Sequence, residues 1–411
     1  MHYVIIGNSA AAIGCVDGLR SIDKSSSITI VSAEKYHTYS RPLISYWLNG
    51  KVDTDKMYYR KENYYQQNGC TTILGKKAVE IDADKKEIKL EDQQCLKYDK
   101  LLVATGSKPV IPPIEGLDSV KNLFTFFTWD SAQDLKKAVG KDSRVLILGA
   151  GLIGLKAAEG LRDLCKKVTV VDLANRILPS ILDLDGAEYV EKHLEEQGIS
   201  IVLNDAAVKF AQDTATLKTG KEIEFDILVV AVGVEPNTIL LQNAGALVKR
   251  GIWVDPQQKT SLPDIFAAGD CVESYDISSH ESKVLALLPN AYMQGQIAGM
   301  NMAGKDEKYT KAIPMNAISF FGLPMITAGS LQGKELVAKG QNYYKKLVYA
   351  DGLLKGYILI GNIERAGIYT SLIREQIPLK KINFDLLSIK PQLLVFDERT
   401  RKEKLAGGDK K

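Results

Sequence analysis

The stretch Arg144 to Asp172, RVLILGAGLIGLKAAEGLRDLCKKVTVVD, constrains the fold more than any other. Val145 to Leu148 is a short apolar run and predicts a buried strand. Gly149, Gly151 and Gly154 follow in G-x-G-x-x-G spacing, and Leu152 to Cys165 carries small and apolar groups at helical spacing. Val168 to Val171 predicts a second strand, ending on Asp172. Each residue type has a reason. Gly149 allows a tight turn, Gly151 lets a pyrophosphate approach the backbone, and Gly154 lets the helix pack close to the strand. The helix N-terminus then faces the phosphates. Asp172 lies about 20 residues past the first glycine, where a carboxylate accepts hydrogen bonds from a ribose diol. An isolated G-x-G-x-x-G is weak, but within strand, glycines, helix, strand and Asp it points firmly to a dinucleotide.

The chain contains the unit twice. Tyr3 to Ile6 predicts a strand, followed by GNSAAAIG, a helix to about Leu19, a strand Ile28 to Val31, and Glu34. Gly7, Ser9 and Ala12 take the three glycine places, and Ser and Ala are small enough to keep the backbone near a phosphate. Two dinucleotide units in one chain suggest a flavin and a nicotinamide, between which a hydride passes.

Charged residues are 25% and hydrophobic residues 45%, as in an ordinary globular protein. The formal net charge of +3 gives no argument for nucleic-acid or membrane partners. No apolar run approaches the roughly 18 residues of a membrane span. MHYVIIG enters a strand at once, which argues against a signal peptide and for a cytoplasmic protein. Cys15, Cys70, Cys95, Cys165 and Cys271 form no metal or redox spacing and are expected as buried, reduced thiols. The four histidines form no metal pattern, so no metal site is expected.

After Glu34 comes EKYHTYSRPLISYWLNG, in which Arg41-Pro42 makes a rigid corner beside a fixed cation able to reach a diphosphate. Tyr36, Tyr39, Tyr46 and Trp47 are either core or the walls of a ring-shaped ligand site. Ala78 to Leu90 alternates as a hairpin. LLVATGSKP, Leu101 to Pro109, runs a strand into a small loop at a sheet's carboxyl end, and Pro109 to Pro113 reads as a domain crossing. Ile199 to Phe225 reads as a hairpin-like tail of the second unit. FDILVVAVG, ending at Gly233, repeats the strand-to-glycine ending and is followed by the turn VEPN. TSLPDIFAAGDC brings a strand onto Gly269-Asp270, suited to a polyol hydroxyl or to capping a following helix. A helix is entered near Pro289 and closed by Gly304, its N-terminus placed to stabilise negative charge. Residues 312 to 396 carry strands at Ala317–Phe321, Ile326–Ala328, Tyr343–Tyr349 and Leu353–Ile360, fitting an α+β cap. The tail Asp397 to Lys411 is charged, lacks an apolar face and is expected to be disordered without a partner.

The motifs GNSAAA, YSRP, ATGSKP, GAGLIG with Asp172, AVGVEPN and FAAGD, in this order over about 300 residues, resemble those of two-dinucleotide flavoprotein reductases, the pyridine nucleotide–disulfide oxidoreductase superfamily. SRPLISYWL and the chain length look most like NADH:rubredoxin reductases and the flavin module of NAD(P)H nitrite reductases. The resemblance implies an α/β fold: two Rossmann-like domains plus the C-terminal α+β domain. The FAD domain would be split over 1–109 and 226–311, with the NAD(P)H domain at 110–225, the cap at 312–396 and the tail at 397–411. It implies FAD contacts at Gly7, Ser9, Ala10, Ala11, Glu34, Lys35, Arg41, Pro42, Ala104, Thr105, Gly106, Gly269, Asp270, Asn290 and Ala291. NADH, in preference to NADPH, would lie on Gly149, Gly151, Leu152, Ile153, Gly154, Asp172 and Gly233, although Arg176 nearby weakens that preference.

Two departures stand out. The oxidase and peroxidase branch carries a redox cysteine near Arg41 or Pro42, where this chain has none, which disfavours a thiol mechanism. Many relatives have Glu at the place of Lys156, so Lys156 is the candidate catalytic residue, a cation beside the reduced flavin, or else a helix Lys pointing to solvent. The expected activity is an FAD-dependent NAD(P)H oxidoreductase passing electrons to a small iron carrier of the rubredoxin or ferredoxin type. The alternative is a flavin subunit of a larger metal-containing assembly, and a third reading is a redox-controlled interaction protein.

Overall fold

The computed structural model describes residues 1–396 and 398–405. They fall into two compact units. One comprises Met1–Ser180, Leu194–Ser274 and Ser282–Thr310; the other comprises Ile181–His193, Tyr275–Glu281 and the chain from Lys311 onward.

The first unit holds two five-stranded parallel sheets. The first sheet runs in the order Ile265–Ala267, Lys100–Val103, His2–Ile6, Ser27–Ser32, Cys70–Leu74. The second runs Ile199–Val202, Lys167–Val171, Arg144–Leu148, Ile227–Val230, Leu123–Phe124. Parallel strands are covered on both faces, which is why they read as continuous apolar runs. Each sheet has one of the two sequence units at its centre. The chain leaves His2–Ile6 for the strand on one side and later fills the other side, so strand order reverses at its carboxyl end, where open α/β sheets bind ligands. Arg144–Leu148 has the same position in the second sheet.

Three readings of the sequence change in detail. Ile199–Val202, expected within a hairpin, pairs parallel with Lys167–Val171 as a sheet edge, and the antiparallel strands begin at Ala207. The sheet takes Ile199–Val202 because its β-branched Ile199, Ile201 and Val202, buried or half-buried, gain more as an extra parallel strand than as half of an exposed hairpin. Ile227–Val230 also pairs into the second sheet, beyond residue 225. The hairpin at Ala78–Leu90 forms and gains a third strand, Cys95–Lys97.

Helix Ala10–Ile22 packs against helix Leu288–Met302 through paired glycines, Gly14 and Gly18 on one and Gly295 and Gly299 on the other. A Cβ on Gly14 would overlap the Tyr292 carbonyl oxygen, and one on Gly295 the Ala11 carbonyl oxygen. The two backbones are therefore in direct contact over a core of Ile5, Ile13, Val16 and Leu19.

The second unit is a five-stranded antiparallel sheet in the order Met315–Phe320, Leu323–Gly329, Leu353–Ile360, Tyr343–Ala350, Lys334–Gly340. Helices Ala366–Arg374 and Phe384–Ile389 contribute Tyr369, Leu372, Ile373 and Leu387 to its core with Leu347, Tyr357 and Leu359. The edge strand Lys334–Gly340, KELVAKG, escaped the sequence reading because its charges mask the strand pattern. Lys346 is 5% exposed and meets Asp183 at 2.9 Å and Glu335 at 2.5 Å. Tyr344 donates to Asp183 at 2.6 Å and the Gly186 N–H at 2.9 Å. Burial pushes the Asp183 carboxyl up, but the donors from Tyr344, Lys346 and Gly186 together hold it below the usual range. Of the charged tail, Glu398–Leu405 is helical rather than disordered; strong helix formers and the Glu398–Lys402 pair at 2.8 Å account for it. Asp397 and residues 406–411 lie outside the described residues. No described helix is long and apolar enough to cross a membrane.

Gly295→Ala forces backbone apart and is expected to cost about 1–3 kcal/mol or more in urea unfolding. Gly140→Ala, whose Cβ would meet only Ser143 Oγ at 3.9 Å, should stay within about 0.5 kcal/mol of the parent. Because the folded Asp183 carboxyl is depressed, its contribution is present above the unfolded value of about 3.9 and lost as pH falls through the folded one. Asp183→Asn should accordingly flatten the acid limb of the stability–pH curve below about pH 4, measured by denaturant unfolding; an unchanged limb would refute this assignment.

Candidate functional site

The two glycine turns are built alike. Gly7 has φ +121° and Gly149 φ +105°, and a Cβ on either would overlap a carbonyl oxygen of the adjoining strand exit, Ala104 or Ala231. Gly154 would similarly strike the Gly149 carbonyl, so the helix Leu152–Leu161 starts directly against the turn. Gly151, by contrast, faces open space, with nothing within 4 Å of its Cβ position. Neither Ser9 nor Gly151 supplies a side-chain cap to the helix that follows. Each helix therefore presents first-turn N–H groups with no cap from the N-cap side chain, and at the second turn Gly151 leaves the floor free of a Cβ, where the first turn has the small Ser9. That arrangement fits a pyrophosphate.

Around the first turn, the structure brings Gly7, Ser9, Ala10, Ala11, Ala104, Thr105, Gly106, Gly269, Asp270, Asn290 and Ala291 to the carboxyl end of the first sheet. Ala11 and Ala291 flank Gly269, whose φ is +90°. The Gly269 N–H donates to Gln294 Oε1 at 2.8 Å, and the Gln294 amide donates in turn to Ser274 Oγ. Gln294 is 2% exposed and fixes the turn carrying Asp270; sequence reading passed over it as a helix position among small residues. Burial pushes the Asp270 carboxyl up, the Arg41 charge opposing. A strand, Glu273–Asp276, follows Asp270, so the helix-capping reading does not hold. Asn290 is buried in the first turn of Leu288–Met302, and its Oδ1 accepts from Tyr309 at 2.8 Å.

Glu34 lies beyond the strand Ser27–Ser32 and is held by two neighbours. Tyr39 donates to it at 2.7 Å and Arg41 Nη2 forms an ion pair with it, while Arg41 Nη1 donates to the Phe127 carbonyl at 2.9 Å. Arg41, expected on a diphosphate, is here the partner of Glu34. The Tyr39 oxygen also accepts from the Trp129 N–H at 3.2 Å. Tyr36, Tyr39 and Trp129 form one aromatic cluster, with Tyr36–Trp129 centroids 4.9 Å apart; Tyr39 and Trp129 are buried and Tyr36 is half-buried. Asn8 ties the same loop to the glycine turn, donating to the Tyr36 carbonyl at 3.2 Å and accepting from Tyr65 at 2.7 Å. Pro42 is the second residue of the short turn Arg41–Leu43, and Lys35 is exposed, 3.5 Å from Asp130.

Around the second turn, Asp172 accepts from the N–H groups of Ala150 at 2.6 Å and Ala174 at 2.7 Å. Carboxylate and glycine loop are thus one construction, each oxygen retaining acceptor capacity. Arg176 is turned to Asn175 Oδ1 and the Pro179 carbonyl, both at 3.1 Å. Gly233, φ +134°, faces open space beside this turn, and Leu152 and Ile153 open the helix.

Lys156 does not point to solvent. Its side chain is 13% exposed, its ammonium pairs with Glu159, itself 3% exposed, and it sits 4.2 Å over the Tyr46 ring. Helices Ile44–Leu48 and Leu152–Leu161 meet here, a Cβ on Gly160 standing 3.1 Å from the Ser45 carbonyl. The cysteines are all free; Cys15, Cys165 and Cys271 are buried, whereas Cys70 is half-buried and Cys95 exposed, contrary to expectation, because they lie on an edge strand and a small surface sheet. Cys271, next to Asp270, is turned onto the Val103 and Ala268 carbonyls, and burial pushes its thiol up to about 11. Among the described residues no cluster of His, Cys, Asp or Glu could hold a metal ion.

Comparison with known proteins agrees with this geometry. The chain is 31% identical over 384 residues to the NADH-dependent phenylglyoxylate dehydrogenase subunit epsilon of Aromatoleum evansii, covering 90% of this chain and 91% of that protein. It is also 31% identical over 386 residues to the assimilatory nitrate reductase electron transfer subunit of Bacillus subtilis, but spans only 49% of that protein's length. A solved NAD-dependent persulfide reductase from A. fulgidus superposes with a TM-score of 0.85 at 28% identity, covering 93% of this chain and 78% of that one. The family profile described as pyridine nucleotide-disulphide oxidoreductase matches residues 1–295. The chain belongs to that family and is a flavin-dependent NAD(P)H oxidoreductase.

Proposed function

We propose that this protein takes electrons from NADH onto FAD and hands them to a separate iron- or metal-containing protein, without a redox-active cysteine. Bound flavin supplies the exchange between two-electron hydride chemistry and single-electron transfer. The chain's residues bind and align. Gly7 to Ala11, Glu34, Arg41, Thr105, Gly106, Asp270 and the helix start at Asn290 would hold the flavin nucleotide; Gly149 to Gly154 and Asp172 would hold the nicotinamide nucleotide.

The observation that carries the reading is Cys271. It is the cysteine in the loop that also bears Asp270, and it is buried against backbone carbonyls with its thiol pushed up, so it offers no thiolate to relay electrons. Electrons then leave through the partner. A rubredoxin- or ferredoxin-type carrier fits, and so does a metal-containing partner subunit. The names of the two relatives at 31% identity, each a subunit, favour the second. Asp172 supports NADH, because a 2′-phosphate would meet a carboxylate already fixed by two N–H groups. Lys156 acts through its neighbours: its ion pair with Glu159, stacked over Tyr46, fixes the junction of the two helices.

Anaerobic addition of NADH to the FAD-loaded protein should bleach the flavin band near about 450 nm, with NADPH slower. Flavin that stays oxidised under NADH would sink the proposal. Asp172→Ala should lower kcat/KM for NADH by about 10- to 100-fold, the worth of a charged hydrogen bond, and leave NADPH use nearly unchanged. Equal losses with both coenzymes would show that Asp172 only supports the turn.

A further inference from the structure

The chain passes between the two parallel sheets twice, leaving the first after Val103 and the second after Val230. The two passages are paired with each other. Ser107–Pro109 runs antiparallel to Val234–Pro236, with Glu235 opposite Lys108. One end of this ribbon is closed by the Val110 N–H on the Gly233 carbonyl at 3.0 Å. The other end is closed by Asn237. Its N–H donates to the Gly106 carbonyl at 2.9 Å, its side-chain amide to the Thr105 carbonyl at 3.0 Å, and its own carbonyl accepts from the Thr105 hydroxyl at 2.8 Å. Gly106 and Gly233 both have positive φ and open space in front of them. The clasped residues are thus the loops that leave the ligand-facing ends of the two sheets.

We propose that Asn237 is a positioning residue for transfer between the two nucleotide sites, a proposal that rests on the FAD and NADH reading above. The two sheets are linked by two chain crossings and by the packing of helix Ile44–Leu48 on Leu152–Leu161, and misplacement of about 1 Å at a reacting centre costs roughly 100-fold in rate. Three hydrogen bonds tie position 237 to Thr105 and Gly106; two use its backbone, and the third, from the side-chain amide to the Thr105 carbonyl, is the one that requires asparagine and braces the ribbon end against tilting. The Lys108–Glu235 pair on the same ribbon cannot do so, since both side chains are more than half exposed, at 59% and 55%.

The test compares FAD-loaded parent protein with Asn237→Ala, Asn237→Asp and Glu235→Ala. Four quantities are measured: flavin-to-protein ratio, amide hydrogen exchange over 104–110 and 232–238, flavin reduction by saturating NADH, and flavin reduction by dithionite. Both Asn237 variants should keep their flavin and exchange faster in the two segments. Their reduction by NADH should slow by about 10- to 100-fold while dithionite reduces them as it does the parent. Glu235→Ala should match the parent throughout. Unchanged NADH reduction in the Asn237 variants would overturn the proposal, as would loss of flavin from Asn237→Asp, which keeps the side-chain volume. A parent protein whose flavin ignores NADH would instead sink the functional reading. The exchange comparison would still decide whether Asn237 holds the ribbon; unchanged exchange overturns it.

Discussion

Everything that positions the site follows from a backbone lying on a backbone. At each sheet's centre a glycine of positive φ rests against the carbonyl of the neighbouring strand exit, Gly7 on Ala104 and Gly149 on Ala231. A methyl group in either place would push the turn away from the sheet and tip the helix behind it. Because the turn sits so low, the helix N-terminus reaches the carboxyl edge of the sheet, where strand order reverses and a ligand has room. The same absence of side chains recurs where helix Ala10–Ile22 meets Leu288–Met302, which brings the start of the second helix to the same edge.

Charge in the site is held by local hydrogen bonds rather than by long-range pairing. Asp172 is fixed by two N–H groups from its own loops. Glu34 is fixed by a tyrosine and an arginine a few residues downstream. Lys156 has its carboxylate one helical turn away. Each group is oriented before any ligand arrives, which lowers the ordering cost of binding. The cost of burying Glu159 and Lys156 is offset only because they are buried together, so neither is separable from the other.

The parts legible in the sequence were those in which spacing and residue type coincide. Gly149, Gly151, Gly154 and Asp172 mark a turn, an opening, a helix contact and a hydrogen-bond acceptor in one short run, and the structure gives each a matching environment. Glu34 and Arg41 were each readable as candidate nucleotide contacts, but their pairing was not, since nothing in the sequence sets Arg41 on Glu34. Gln294 was passed over, and Asn237 was read only as the end of a turn and of a motif, because their partners, Gly269 and Thr105–Gly106, are distant in sequence and bonded through backbone atoms. The parallel pairing of Ile199–Val202 was missed because a four-residue stretch carries no information about its partner. Lys334–Gly340 was missed because its pairing, not its composition, makes it a strand.

The order of strands in the two sheets sets the order in which they can be completed during synthesis. The second sheet draws all its strands from one continuous stretch, Leu123 to Val230. The first begins with His2–Ile6 yet lacks an edge until Ile265–Ala267 has been made, and its first helix lacks its glycine partner until Leu288–Met302 follows. On the ribosome, the amino-terminal half of the first sheet must therefore wait, with apolar strands incomplete, while the domain encoded in its middle closes first.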